Sequence, residues 1–169
     1  MQLTLQQLQT VKAWLLVNAT MMSEHQAAGA LNSVKDPVYR VYRTFVPMAE
    51  IMGNGWDWTL VDNLTIGKAR IWEWMEKTYA IDNVGGLNFA KSECRAGINT
   101  TWAGNAQMLN VRDSIYAHGY KSASVFEAMF STGAGTTPPN DGDGSGPGTI
   151  AANITAPITA QQVIDAYNS

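Results

Sequence analysis

The stretch from Thr59 to Tyr79, TLVDNLTIGKARIWEWMEKTY, constrains the fold more than any other part of the chain. Leu60, Leu64, Ile71, Met75 and Thr78 recur at spacings of three, four and seven, which puts them on one face of a helix. Trp72 and Tyr79 widen that face, and Arg70, Glu73, Glu76 and Lys77 fall opposite. Thr59, with Asp62 three residues on, reads as an N-cap. Glu73 and Lys77 form an i,i+4 pair in the favourable order. Four of the six tryptophans, Trp56, Trp58, Trp72 and Trp74, lie in this stretch or just before it. The spacing therefore predicts a single amphipathic helix over 59–79 that carries much of the aromatic burial and no catalytic pattern.

Four short segments predict helix starts by a different signal, the capping box, in which a hydroxyl and a glutamine or glutamate three residues later satisfy each other's backbone. Thr4 with Gln7 opens a helix over 5–17, with Leu5, Leu8, Val11, Lys12, Leu15 and Leu16 at helical spacing. Ser23 with Gln26 opens an Ala-rich helix to Val34, ended by Asp36-Pro37. Ser124 with Glu127 opens a short apolar helix through Phe130. Thr159 with Gln162, after Ile158, repeats the logic of Leu3 to Leu8 and predicts a last helix over 160–167.

Between these, Val38 to Val46 is β-branched and aromatic and favours an extended segment, although its apolar positions fit a helix equally well. Pro47 begins one or two helical turns through Met52. Helices are expected over 87–102, with Leu87, Ala90, Cys94, Ile98 and Thr101 buried, and over 106–118, with Met108, Val111, Ile115 and Tyr116 buried. Thr149 to Thr155 is a possible short strand.

From Thr132 to Gly148 the chain reads TGAGTTPPNDGDGSGPG, a composition that builds no core and acts as a linker. The expected organisation is an all-α small helical bundle over 1–131, a Gly/Pro-rich linker over 132–148, and an extended C-terminal arm over 149–169 ending in a short helix. That arm either docks on a neighbour or packs back on its own domain.

Composition narrows function. At 46% hydrophobic the 169 residues can bury a core, while only 15% are Asp, Glu, Lys or Arg, so neutral polar residues must cover the surface. A net charge of -3 offers no electrostatic footprint for nucleic acid. No basic start followed by a long apolar run is present, so synthesis in the cytoplasm is expected. Cys94 is the only cysteine, which rules out an internal disulfide.

The candidate chemistry is sparse. Asp141, Asp143 and Ser145, with Gly146, resemble the first half of a calcium loop, but Ala152 stands where the bidentate glutamate belongs, and a linker is the better reading. His25 and His118 have no second metal-ligand type at a recognised spacing. His118 fits the negative end of a helix dipole. Cys94 on a buried stripe reads as a small hydrophobe rather than half of a catalytic pair. We expect no catalytic, metal or cofactor residues. Arg40 and Arg43 among Tyr39 and Tyr42 suit an interface better than nucleic acid, and an ordinary core-and-surface segment better than either.

Five features in order resemble a class of small virion proteins of tailed bacteriophages, the head–tail adaptor or connector (neck) proteins found near the portal. They are the capped leucine helix from Leu3 to Val17, the VYRTFVP stretch from Val41 to Pro47, and the W-x-W at Trp56–Trp58. The FSTGAGTTP segment from Phe130 to Pro138 and the closing pattern from Gly148 to Ala166 complete the set. The acidic, Gly-rich 139–148 insert departs from the pattern. The resemblance implies a mostly helical adaptor in a ring of about twelve copies beneath the portal. It would bridge the capsid vertex to the tail and line the DNA exit channel with sparse, non-specific contacts. The implied partners are further copies, the portal protein and tail or neck proteins, with no membrane and no cofactor. Interface residues under this reading are Arg40, Tyr42, Arg43, Arg70, Glu73, Trp74, Lys77, Ile150, Ile154 and Ile158. Two other classes compete with it: a ligand- or peptide-binding helical module whose pocket is lined by Trp56, Trp58 and Trp74, and an enzyme built on Cys94 and a histidine.

Overall fold

The computed structural model describes residues 1–53, 56–136 and 146–169. Among these residues the chain is helix-dominated, with short antiparallel strands. It divides into two compact units, Met1–Val41 with Ser122–Ser169, and Tyr42–Lys121. This partition differs from the expected single core over 1–131 with a separate arm. The chain leaves the first unit within β1 (Arg40–Tyr42) and returns within β4 (Tyr120–Ser122).

In the first unit, α1 (Leu5–Asn18), α2 (Glu24–Asn32), α8 (Val125–Met129) and α9 (Ala160–Tyr167) each start at a complete capping box, as the sequence predicts. Thr4, Ser23, Ser124 and Thr159 accept from the backbone of the residue three positions on, whose side chain returns the bond. Their apolar faces meet in one core of Val11, Leu15, Ala27, Leu31, Phe126, Ile154, Ile158, Val163 and Ala166. Each large side chain there stabilises by roughly 1.5–3 kcal/mol through burial. Leu5 and Leu16, expected in the stripe of α1, are instead 64% and 58% exposed. The covered arc of α1 is narrower than the pattern implied, because only one of its sides meets α9 and the core.

The tail is part of this core and not a detached arm. Gln7 and Asn153 exchange side-chain amide bonds of 3.0 and 2.7 Å. Asn32 does the same with the backbone of Ile158, at 2.8 and 3.0 Å. The Gly-rich segment closes on itself: β5 (Ser131–Thr132) pairs antiparallel with β6 (Thr149–Ile150). Gly135 O accepts from Arg40 N and Gly148 N donates to Arg40 O, so both ends are held at one point of β1. The Tyr39 hydroxyl donates to Gly133 O at 2.7 Å. A Cβ on Gly135, whose φ is +70°, or on Gly148 would collide with the Tyr39 side chain, which is why glycine stands at both contacts. The strand expected over 149–155 is thus only two residues long.

In the second unit the predicted 59–79 helix is two helices, α4 (Thr59–Asp62) and α5 (Ile66–Thr78). Thr65 interrupts them: its backbone is extended and its hydroxyl accepts from Lys68 N, starting a new helix. At the front, Asp57 rather than Thr59 does the capping, since Asp57 Oδ1 accepts from both the backbone and the hydroxyl of Thr59. Leu60, Leu64, Trp72 and Met75 are buried as expected, while Thr78 is exposed. Pro47 caps the single turn α3 (Met48–Ile51).

The helix expected from Leu87 begins only at Ser92, as α6 (Ser92–Thr101). Gly86–Leu87 forms β3 instead, pairing antiparallel with β2 (Val46–Pro47) in the register Val46↔Leu87. The Asn88 side chain then accepts from Ala90 N, a turn that delays the helix. Asn105 caps α7 (Ala106–His118) as predicted. The core of this unit gathers Val46, Ile51, Leu64, Trp72, Met75, Leu87, Phe89, Ile98, Trp102 and Ile115.

Candidate interaction surface

On α5, residues three and four apart share a side, so Trp72 and Met75 fix the inward face. Opposite them Ile66, Arg70, Glu73, Trp74 and Lys77 form one outward stripe. Ile66 is 79% exposed and Trp74 61% exposed, which is unusual for side chains of this size. Lys77 Nζ lies 2.6 Å from Glu73 Oε1. The bond to Lys77 holds the Glu73 carboxyl below its ordinary range, and Glu73 in turn raises the Lys77 ammonium. Arg70 adds a second, weaker pull on Glu73. The stripe carries positive, negative and positive charge beside two exposed apolar side chains. Trp58, 62% exposed, and Ile81 and Val84, about half exposed, lie in the same part of the chain.

The other expected interface residues are placed differently. Arg43 pairs through both guanidinium arms with Glu50 and also donates to His118 O at 3.1 Å. It is a clamp joining the end of α7 to α3. His118 Nδ1 stands 3.6 Å from Glu50. The hydrogen bond from Arg43 is the main reason that the Glu50 carboxyl titrates below its ordinary value of 4.5. A depressed acid contributes stability above its unfolded value and loses it as pH falls through the folded one. Urea midpoints of the wild type should therefore decline below about pH 4.5 more steeply than those of Glu50→Gln. Equal slopes would show that the clamp contributes nothing measurable.

Tyr42 is half-buried, with the Arg95 guanidinium 4.5 Å from its ring centre. Arg40 is half-buried, and its backbone anchors the Gly-rich segment. Ile154 and Ile158 are 7% and 3% exposed, inside the first unit's core. Burial removes both as contacts for another chain, because the tail packs onto α1 and α2. Ile150 is half-buried in the β5–β6 pair. Of the ten candidates, Arg70, Glu73, Trp74 and Lys77 thus share one open face of α5. The signal missed in the sequence is Ile66, which follows the capping residue Thr65 and completes that face.

The three tryptophans expected to line one pocket also separate. Trp56 turns inward against Trp102, while Trp58 and Trp74 are exposed. His25 is exposed in the first turn of α2. The Asp141/Asp143 loop lies outside the described residues. Among the described residues no three His, Cys, Asp or Glu side chains are grouped to hold a metal ion. No helix described is long and apolar enough to cross a membrane. Cys94 is fully buried, and burial pushes its thiol up to about 11. A thiol in that state is a poor nucleophile at neutral pH. Alkylation of the folded protein by iodoacetamide at pH 7.5 should be far slower than in 6 M guanidinium. Equal rates would place Cys94 at a reactive, open site.

Comparison with protein-family models, with curated proteins and with solved structures gives no match to this chain.

Proposed function

We propose that the chain is a structural virion protein, a head–tail adaptor that assembles into a ring, bridges the portal vertex to the tail and lines the DNA exit channel. The finer reading of its fold is a small helical bundle in which the two- and three-residue strands serve as connections. The observation that carries the proposal is the outward face of α5, where Trp74 and Ile66 are exposed beside Arg70, Glu73 and Lys77. Exposed aromatic and arginine side chains on a rigid helix are the typical anchors of protein interfaces. The low share of charged residues and the net charge of -3 fit protein contacts better than a tight grip on DNA. The motif order from Leu3 to Ala166 supplies the particular class.

Native mass spectrometry of the purified chain, alone and with a portal protein, tests this reading. A high-order oligomer is expected in at least one condition, and a strict monomer in both would overturn it. Trp74→Glu should abolish that oligomer while leaving the far-ultraviolet circular dichroism unchanged, because the side chain it removes points away from the core. Persistence of the oligomer in Trp74→Glu would move the contact to another surface.

A further inference from the structure

Helix α1 turns an uncharged side outward. Val11 and Leu15 are fully buried and fix its inward side. At 3.6 residues per turn, Leu5, Gln9, Ala13 and Leu16, with Gln6, Thr10 and Val17 beside them, fall within about 140° of arc on the opposite side. Every one of them is exposed. Leu5, Leu16 and Val17 are 64%, 58% and 79% exposed, and Met21, just past the end of the helix, is 97% exposed. The outward side of a surface helix ordinarily carries charged residues. Here the arc has none, and Lys12 is the only charged side chain between Met1 and Ser23. Lys12 is half-buried, and its ammonium donates to Ser169 O at 2.6 Å.

We infer that this side of α1 is a docking face for a second copy of the chain, paired antiparallel across a two-fold axis. A helix that lies on a membrane presents lysine or arginine, and so does a nucleic-acid surface, while this arc has neither. A protein partner with charges opposite the arc would leave them buried without a counter-charge. A second copy brings a face with the same absence of charge. The order of residues is also self-complementary. With the axis level with Val11, Leu5 meets Val17 of the second copy, Gln6 meets its Leu16 and Gln9 meets its Ala13, and the two-fold repeats each contact. Apolar side chains thus meet at both ends, and in the middle the short Ala13 leaves room for the longer Gln9. A parallel pairing would set Gln9 on Gln9 and Ala13 on Ala13, with like ends of the two helix dipoles together. The face is far smaller than the roughly 20–30 residues a side of a standard interface, so the pairing alone is weak, with a Kd on the order of 100 μM. It strengthens wherever copies are already held close. This face belongs to the first unit and does not rest on the adaptor reading.

Sedimentation equilibrium of the full chain tests the pairing in a Trp74→Glu background, chosen to remove the α5 contact. From about 5 to about 500 μM the weight-average mass should rise from the 18.4 kDa of one chain toward twice that value. Val17→Lys, which sets a cation against Leu5 of the second copy, should hold the mass near that of one chain throughout. Adding Leu5→Glu to Val17→Lys should restore the rise. An antiparallel pair brings those two charges together between copies, whereas within one chain they lie more than three turns apart. Both positions are exposed, and an unchanged far-ultraviolet circular dichroism spectrum confirms that α1 is intact in each variant. A mass that Val17→Lys leaves unaltered, whatever its value, overturns the docking face, and a double variant that stays monomeric overturns the antiparallel register. Species larger than a dimer in Trp74→Glu count against the α5 reading alone, because the effect of Val17→Lys is read as a difference.

Discussion

Replacing Trp102 with alanine is expected to destabilise the protein by about 3–5 kcal/mol. The residue is fully buried, sits between Trp56 and Trp72, and is one of the largest side chains in its core. Two effects add: loss of the transfer energy of the indole, and a cavity that the surrounding helices fill only partly. Each edge-on aromatic pair adds about 0.5–1.5 kcal/mol beyond burial, so the upper end of the range is the better expectation. The loss is a large part of the roughly 5–15 kcal/mol by which a domain is stable. The indole N–H has no partner within the described residues, so no hydrogen bond is lost with it and a buried unpaired donor is relieved, which offsets part of this sum. Urea unfolding followed by tryptophan fluorescence reads this unit, since five of the six tryptophans lie within 42–121. A loss below about 1 kcal/mol would mean that Trp102 does not organise this core.

Val163→Asp is expected to disrupt the first unit to a similar extent, by roughly 3–5 kcal/mol. Val163 is fully buried on α9, in the core with Val11, Leu15, Leu31 and Phe126. Aspartate there brings a carboxyl in among apolar side chains, and it must either stay protonated or open the packing. The consequence separates two views of the tail. A detachable arm would lose only its own order, leaving α1 and α2 intact. A shared core would lose protection throughout Met1–Val41 as well. Hydrogen exchange along the two segments of this unit distinguishes them, and unchanged protection of Val11 and Leu15 amides would restore the arm. Ile154, Ile158 and Ala166 share the same packing, so the outcome should not depend on the one position chosen.

The four helix starts at Thr4, Ser23, Ser124 and Thr159 were legible without any structure because a capping box closes within four residues. The α7 cap at Asn105, a side-chain bond to the residue three on, and the turn after Pro47, whose ring fixes φ, were legible from equally local signals. Pattern reading also found the inward face of α5 and the outward one. It failed where a local signal met a distant partner. Leu87 fits the helical spacing of the residues after it, yet its backbone bonds to Val46, forty-one positions earlier. Thr65 falls inside the 59–79 helical spacing, although its hydroxyl could equally cap a new start. Composition showed that the Gly-rich segment builds no core. It did not show that both ends of that segment converge on Arg40 and Tyr39.

By itself, then, the sequence determined where most helices begin, much of which side faces inward, and that no familiar catalytic pattern is present. These properties rest on bonds and spacings within one or two helical turns. Only the tertiary structure decided that 149–169 belongs to the same core as the N-terminal helices, that Trp56 and Trp102 meet, and that Trp74 and Ile66 stay open. Those outcomes depend on which surfaces remain after distant segments have packed, and a surface is left exposed by the sum of all other contacts rather than by its own residues.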